Sequence, residues 1–188
     1  MIRVEGRDVL TLRDILPPTP GLQVLFVAKT PAPVSVKAGH YFQGAQGCQF
    51  WCRLKEYGLL KQTVGFEDDS LLCHGYGLTD IVKVPREYGE EPSREEYEAG
   101  LGRILELIRL HQPKIVVFVY KGVLDKISRF KFHIENKSTY GFNPSLEQHF
   151  CGARVFAFPL PGVGRCTTMQ AKLAMQELVI ACGREKAE

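Results

Sequence analysis

Two hydrophobic periodicities alternate along the chain. Leu22 to Val27, the run KIVVFVY at 114–120 and the run RVFAF at 154–158 are continuous apolar, β-branched and aromatic stretches, the pattern of strands buried on both faces. Leu78 to Val82 adds a fourth, shorter candidate. Between them the spacing becomes helical. Phe50, Trp51, Leu54 and Tyr57 recur on one face, with Gly58 placed to stop them. Tyr97, Leu101, Ile104, Leu105 and Ile108 form a second stripe, opened by a Ser93/Glu96 capping box and ended by Pro113. A short helix over 122–130 is expected after the second strand. A last helix opens on Thr167 and Gln170, carries Ala171, Ala174, Met175, Leu178 and Cys182 on one face, and stops at Gly183. Strands alternating with helices predict an α/β domain in which a mainly parallel, four-stranded sheet is covered on both sides. Residues 1–21 read as a lead-in with room for one short turn of helix, and 131–153 as an irregular insertion or hairpin.

The connections are less ordinary than the elements. The first strand runs straight into Lys29, Thr30, Pro31, Ala32 and Pro33, where the prolines remove amide donors and argue against strand or regular helix. A glycine-rich stretch to Gln49 follows. In a parallel sheet the carboxyl ends of the strands share one rim, so the loops at 28–49, 79–85 and 159–165 should meet there. Stiff loops that leave backbone amides free suit an anion or a nucleobase edge. They also serve as plain structural punctuation.

Composition narrows the class. The chain of 188 residues is 45% hydrophobic and 24% charged, enough for one sizeable core and hence a single domain over 1–188. The charged start (Arg3, Glu5, Arg7, Asp8) lacks the apolar core of a signal peptide, and the longest apolar run, around 115–119, is too short to span a bilayer. The expectation is a cytoplasmic monomer with no membrane partner, nucleoid-associated in a bacterial cell, with a nuclear location left open. The six cysteines lack CxxC spacing and are expected to be free thiols, with no metal and no cofactor. The formal charge of +3 is small, but it is unevenly spread. Segment 114–137 is net basic and 154–176 holds Arg154, Arg165 and Lys172 with no acid, an asymmetry that suits a phosphate-facing side or an ordinary solvated surface.

Four stretches carry a resemblance. LQVLFVAKTPAPVSVKAGHYFQGAQGCQFW, GLTDIVKVP, PKIVVFVYKGV and VFAFPLPGVGR, in that order, resemble the mismatch-specific uracil/thymine-DNA glycosylases of the uracil-DNA glycosylase superfamily. The resemblance implies a three-layer α/β/α sandwich that flips a deaminated or mismatched base out of double-stranded DNA and hydrolyses its N-glycosidic bond, without a cofactor, in base excision repair. Such chemistry needs amide donors for the base, an aromatic platform, a group that orients or deprotonates water, and a wedge in the stack. By resemblance Phe42 is the platform, with Tyr41 its weaker competitor, and Lys29, Ala32 and Leu160 complete the base pocket. Ser35, Gly162, Val163, Gly164 and Arg165 are assigned to DNA, with Val163 or Arg165 as wedge.

Both signature loops depart from the family. Where the family reads Gly-Ile-Asn-Pro-Gly, with Asn holding the water, this chain has Ala28, Lys29, Thr30, Pro31 and Ala32. A Thr hydroxyl can bond a water but is no carboxamide and no base. Asp80 in GLTDIV is the candidate replacement, a carboxylate able to polarise water and offset sugar charge, though a turn or cap role suits an Asp there equally. In the second loop Leu160 stands where the family has a polar residue. His40, Lys29 and Lys121 are further candidates for base or phosphate contact, or plain surface charges. Two readings follow: an active DNA glycosylase with catalytic Asp80 and Thr30, or a weak or inactive glycosylase-fold protein that binds DNA or a nucleobase-like ligand.

Overall fold

The computed structural model describes residues 2–4, 7–62, 65–162 and 164–184. A two-stranded antiparallel ribbon of β1 (Ile2–Val4) and β2 (Arg7–Val9) precedes the main sheet. The sheet itself contains β3 (Val24–Ala28), β4 (Tyr76–Asp80), β5 (Ile115–Phe118), β6 (Gly141–Phe142) and β7 (Arg154–Ala157), in the order β4-β3-β5-β7-β6. The four strands anticipated from the sequence pair in parallel, and β6 adds a fifth, antiparallel to β7. Two residues are too few to show a period of two, which is why β6 is invisible in the pattern.

Alternate residues of the strands feed two cores. Val24, Phe26, Val117 and Phe156 pack against α2 (Cys48–Glu56) and α5 (Thr168–Ala181), through Phe50, Trp51 and Leu54 of the first and Met175 and Leu178 of the second. Leu25, Val27, Val116 and Phe118 pack on the other side against α3 (Arg94–His111) and α4 (Lys121–Phe132). The result is a three-layer α/β/α sandwich. No described helix is long and apolar enough to cross a membrane.

Both capping boxes form: Ser93 Oγ accepts from the Glu96 amide and Thr167 Oγ1 from that of Gln170, each at 3.2 Å. Two expectations need correction. The proline loop does contain a helix, α1 (Pro33–Ala38), because Pro33 sits at its first turn, where the missing amide is not needed and the fixed φ favours the helix. Residues 10–21 form no helical turn; Ile15 instead exchanges two 2.9 Å backbone hydrogen bonds with Leu78 and lies along the outer edge of β4. Segment 131–153 is a connection built from β6 and a 3-10 turn at Pro144–Phe150, and Asn143 ties it together by bonding the Thr139 and Gly141 carbonyls.

Candidate functional site

The site grows from the register of three neighbouring strands. Ala28 at the end of β3 pairs with Asp80 at the end of β4, and β5 ends on the other side of β3, leading into Tyr120. Three backbone hydrogen bonds continue the pairing past the sheet: the Ile81, Val82 and Arg86 amides donate to the Ala28, Lys29 and Pro31 carbonyls at 2.9, 3.0 and 3.0 Å. The first proline loop and segment 81–86 therefore form one rigid wall. It encloses a cavity of about 950 Å³, within the rough range of 300–1,000 Å³ for small-ligand clefts.

Lys29, Thr30, Ala32, Ser35, Tyr41, Phe42, Asp80, Gly162 and Gly164 all line this cavity, so loops far apart in sequence meet there. Arg165 is exposed outside it, and Val163 lies outside the described residues. Leu160, 3% exposed, packs in the core under α2 and α5 and does not reach the cavity. Ser35 is buried, and its hydroxyl accepts the Gln43 amide at 3.0 Å, a bond that shapes the loop.

Phe42 is held at the cavity by unusual backbone geometry. Its φ of 58° is left-handed, rare for a bulky residue and a mark of a locally enforced conformation. Its ring packs on Phe50 and Trp51, at centroid separations of 4.7 and 5.6 Å. Gly47 permits this: a Cβ there would lie 2.7 Å from the Phe42 Cα. Next to it, Asp68 clamps the turn, accepting the Tyr41 amide and meeting His40 Nδ1, both at 2.8 Å. Donor atoms of His40, Asp68 and Asp69 lie within 4.8 Å of one another, the spacing of a metal set. Their bonds to Tyr41, to each other and to the Phe66 amide make them a brace for the turn.

Asp80 is 1% exposed. Burial raises its carboxyl from an ordinary 3.8 to about 6, opposed by the Lys83 ammonium and reinforced by Asp14. The nearby Tyr41 hydroxyl also favours the charged carboxylate. Burial and the Asp80 charge lift the Tyr120 phenol to about 12, so it stays a hydroxyl on the same cavity wall. Thr30 has no hydrogen-bond partner among the described residues. The arrangement places a carboxylate with a raised pKa and the hydroxyls of Thr30, Tyr41 and Tyr120 around one space with the Phe42 ring.

Several wall residues carry no signal of a site role in the sequence. Arg86, Tyr88, Glu91, Tyr97, Tyr120 and Lys126 line the far side. Glu91 there accepts Lys29 at 3.4 Å and Lys126 at 2.5 Å, and also the Tyr97 hydroxyl, so the lysine beside Thr30 is tethered to a carboxylate that it shares with a second lysine. The first turn of α4 has no side-chain cap, and Gly122 and Val123 bring its positive end to the cavity.

Comparison with known proteins identifies the family. The chain is 26% identical over 136 residues to a protein of Schizosaccharomyces pombe (strain 972 / ATCC 24843) named G/U mismatch-specific uracil DNA glycosylase. That alignment covers 70% of this chain and 41% of the relative, so the chain spans about two fifths of that protein's length. A match to a family extends over residues 17–162, from the lead-in to the loop after β7 and through every strand that lines the cavity, and on that match the chain belongs to the uracil DNA glycosylase superfamily.

Proposed function

We propose that the chain is a DNA N-glycosylase of base excision repair, acting on uracil or a related deaminated or mismatched base extruded from double-stranded DNA. The observation that carries this reading is the shared cavity of Phe42, Thr30 and the buried Asp80 at the carboxyl rim of the sheet. The extruded base stacks on Phe42. As the N-glycosidic bond lengthens, positive charge grows on the sugar and negative charge on the base. The Asp80 carboxylate sits where it offsets the first and orients a water for attack on the anomeric carbon, taking up the water's proton. The Thr30 hydroxyl is a second contact for that water. The positive end of α4 favours the departing base anion. Gly162, Gly164 and Arg165 face the duplex, and the name of the S. pombe relative supports uracil opposite guanine as the first substrate to try.

The test is single-turnover release of base from duplexes carrying uracil, a thymine mismatch, hypoxanthine or xanthine. Abasic product from any of them, lost in Asp80→Asn, supports the reading. Salt-sensitive duplex binding with no product from any would replace it with a binding protein, a reading favoured by the Thr30 substitution and by the absence of a polar group at Leu160.

A further inference from the structure

Behind the cavity wall lies a cluster of charges that the proposed reaction does not itself use. Lys83 is 6% exposed, and its Nζ reaches Asp14 Oδ1 at 2.8 Å, the Tyr41 hydroxyl at 3.1 Å and Asp80 Oδ2 at 3.4 Å. Arg103 on α3 closes the far side: it meets Asp14 Oδ2 at 2.8 Å and the Thr79 hydroxyl at 3.2 Å, and it also donates to the Asp80 carbonyl. Thr79 Oγ1 donates to Asp14 Oδ1 and Thr11 Oγ1 to the Lys83 carbonyl, both at 2.7 Å. Two cations thus serve two carboxylates, assembled from the lead-in, the end of β4, segment 81–86 and α3. Burying such a set costs desolvation that well-packed apolar residues would avoid, so it is poor evidence for a stabilising device. What it controls is the one member that opens onto the cavity.

We propose that Lys83 is a positioning residue: its simultaneous contacts with Asp14, Tyr41 and Asp80 fix the Asp80 carboxylate against the cavity and keep it ionised at neutral pH. The inference rests on Asp80 as the water-activating group. The groups that face Asp80 are Lys83 and Asp14, Tyr41 from the first loop, Arg103 from α3 and Tyr120 from the start of α4. Lys83 and the Tyr41 hydroxyl favour the carboxylate, while Asp14 disfavours it. Each substitution therefore has a sign. Lys83→Met moves the Asp80 midpoint up, Tyr41→Phe moves it up by less, and Asp14→Asn moves it down. A role confined to packing would lower rates without this pattern.

Two readouts test it. The first is the acid limb of single-turnover uracil excision against pH; the second is the carboxyl carbon-13 shift of Asp80, which needs no turnover. In the native chain both should turn near pH 6. In Lys83→Met the midpoint should rise by about one pH unit, a roughly tenfold loss of rate on the acid limb. Lys83→Arg should stay close to native. Carbon-13 midpoints that follow the pattern in a chain that releases no base would leave the role of Lys83 standing and remove the glycosylase reading. An Asp80 midpoint equal in the native chain and in Lys83→Met overturns the inference. Should Lys83→Met not fold, an unmoved midpoint in both Tyr41→Phe and Asp14→Asn has the same force.

Discussion

At the scale of single residues, the raised carboxyl of Asp80 sets two opposed expectations. Its folded value near 6 exceeds the unfolded 3.8, so the native state holds a proton that the unfolded chain has lost between those limits. Stability from this group is present below pH 4 and lost as pH rises through 6, a penalty of about 3 kcal/mol at neutral pH. Asp80→Asn should raise the urea midpoint at pH 7, flatten its pH dependence over that window, and slow base release about 100-fold or more. A midpoint that instead falls at pH 7 would show that Lys83 needs this partner more than burial opposes it. Thr30→Asn, which restores a carboxamide, should speed single-turnover release, and Thr30→Ala should slow it by less than Asp80→Asn does. Thr30, Phe42 and Asp80 were legible because motif order ties them to one rim. Asp14, Lys83, Arg103 and Tyr120 were not, since contacts such as Arg103 to Asp14, 89 positions apart, leave no local periodicity.

At the scale of elements, α3 and β4 are locked together at one glycine. A Cβ on Gly100 would collide with the Ile81 carbonyl, directly after Asp80, while one on Gly102 would meet nothing within 4 Å. Gly100→Ala should cost about 1–3 kcal/mol and slow base release by shifting the end of β4. Gly102→Ala, exposed on the same helix, should gain up to about 1 kcal/mol and leave activity alone. Equal thermal shifts for the two would refute the packing argument. The longer helices and their caps are readable because each shows several turns of periodicity. The six residues of α1 and the two of β6 are too short for that, and the prolines that argue against a helix in general permit one at its first turn.

At the scale of the whole molecule, the loops at the carboxyl rim of the sheet form the side where DNA is proposed to lie. Arg165 is exposed beside the cavity loop, and Arg165→Ala should weaken duplex binding on all sequences and reduce the salt slope of log affinity by about one. An unchanged slope would place the phosphate contacts elsewhere. The sandwich was readable from alternating periodicities, but how the lead-in is used was not, because a single bridge at Ile15 has no pattern. That bridge has a practical corollary. The superfamily match begins at residue 17, yet Ile15 shields the otherwise open flank of β4, and Asp14 beside it anchors both Lys83 and Arg103. A protein trimmed to the matched span would surrender its edge guard and its proton tuning in the same cut, emerging sticky as well as sluggish.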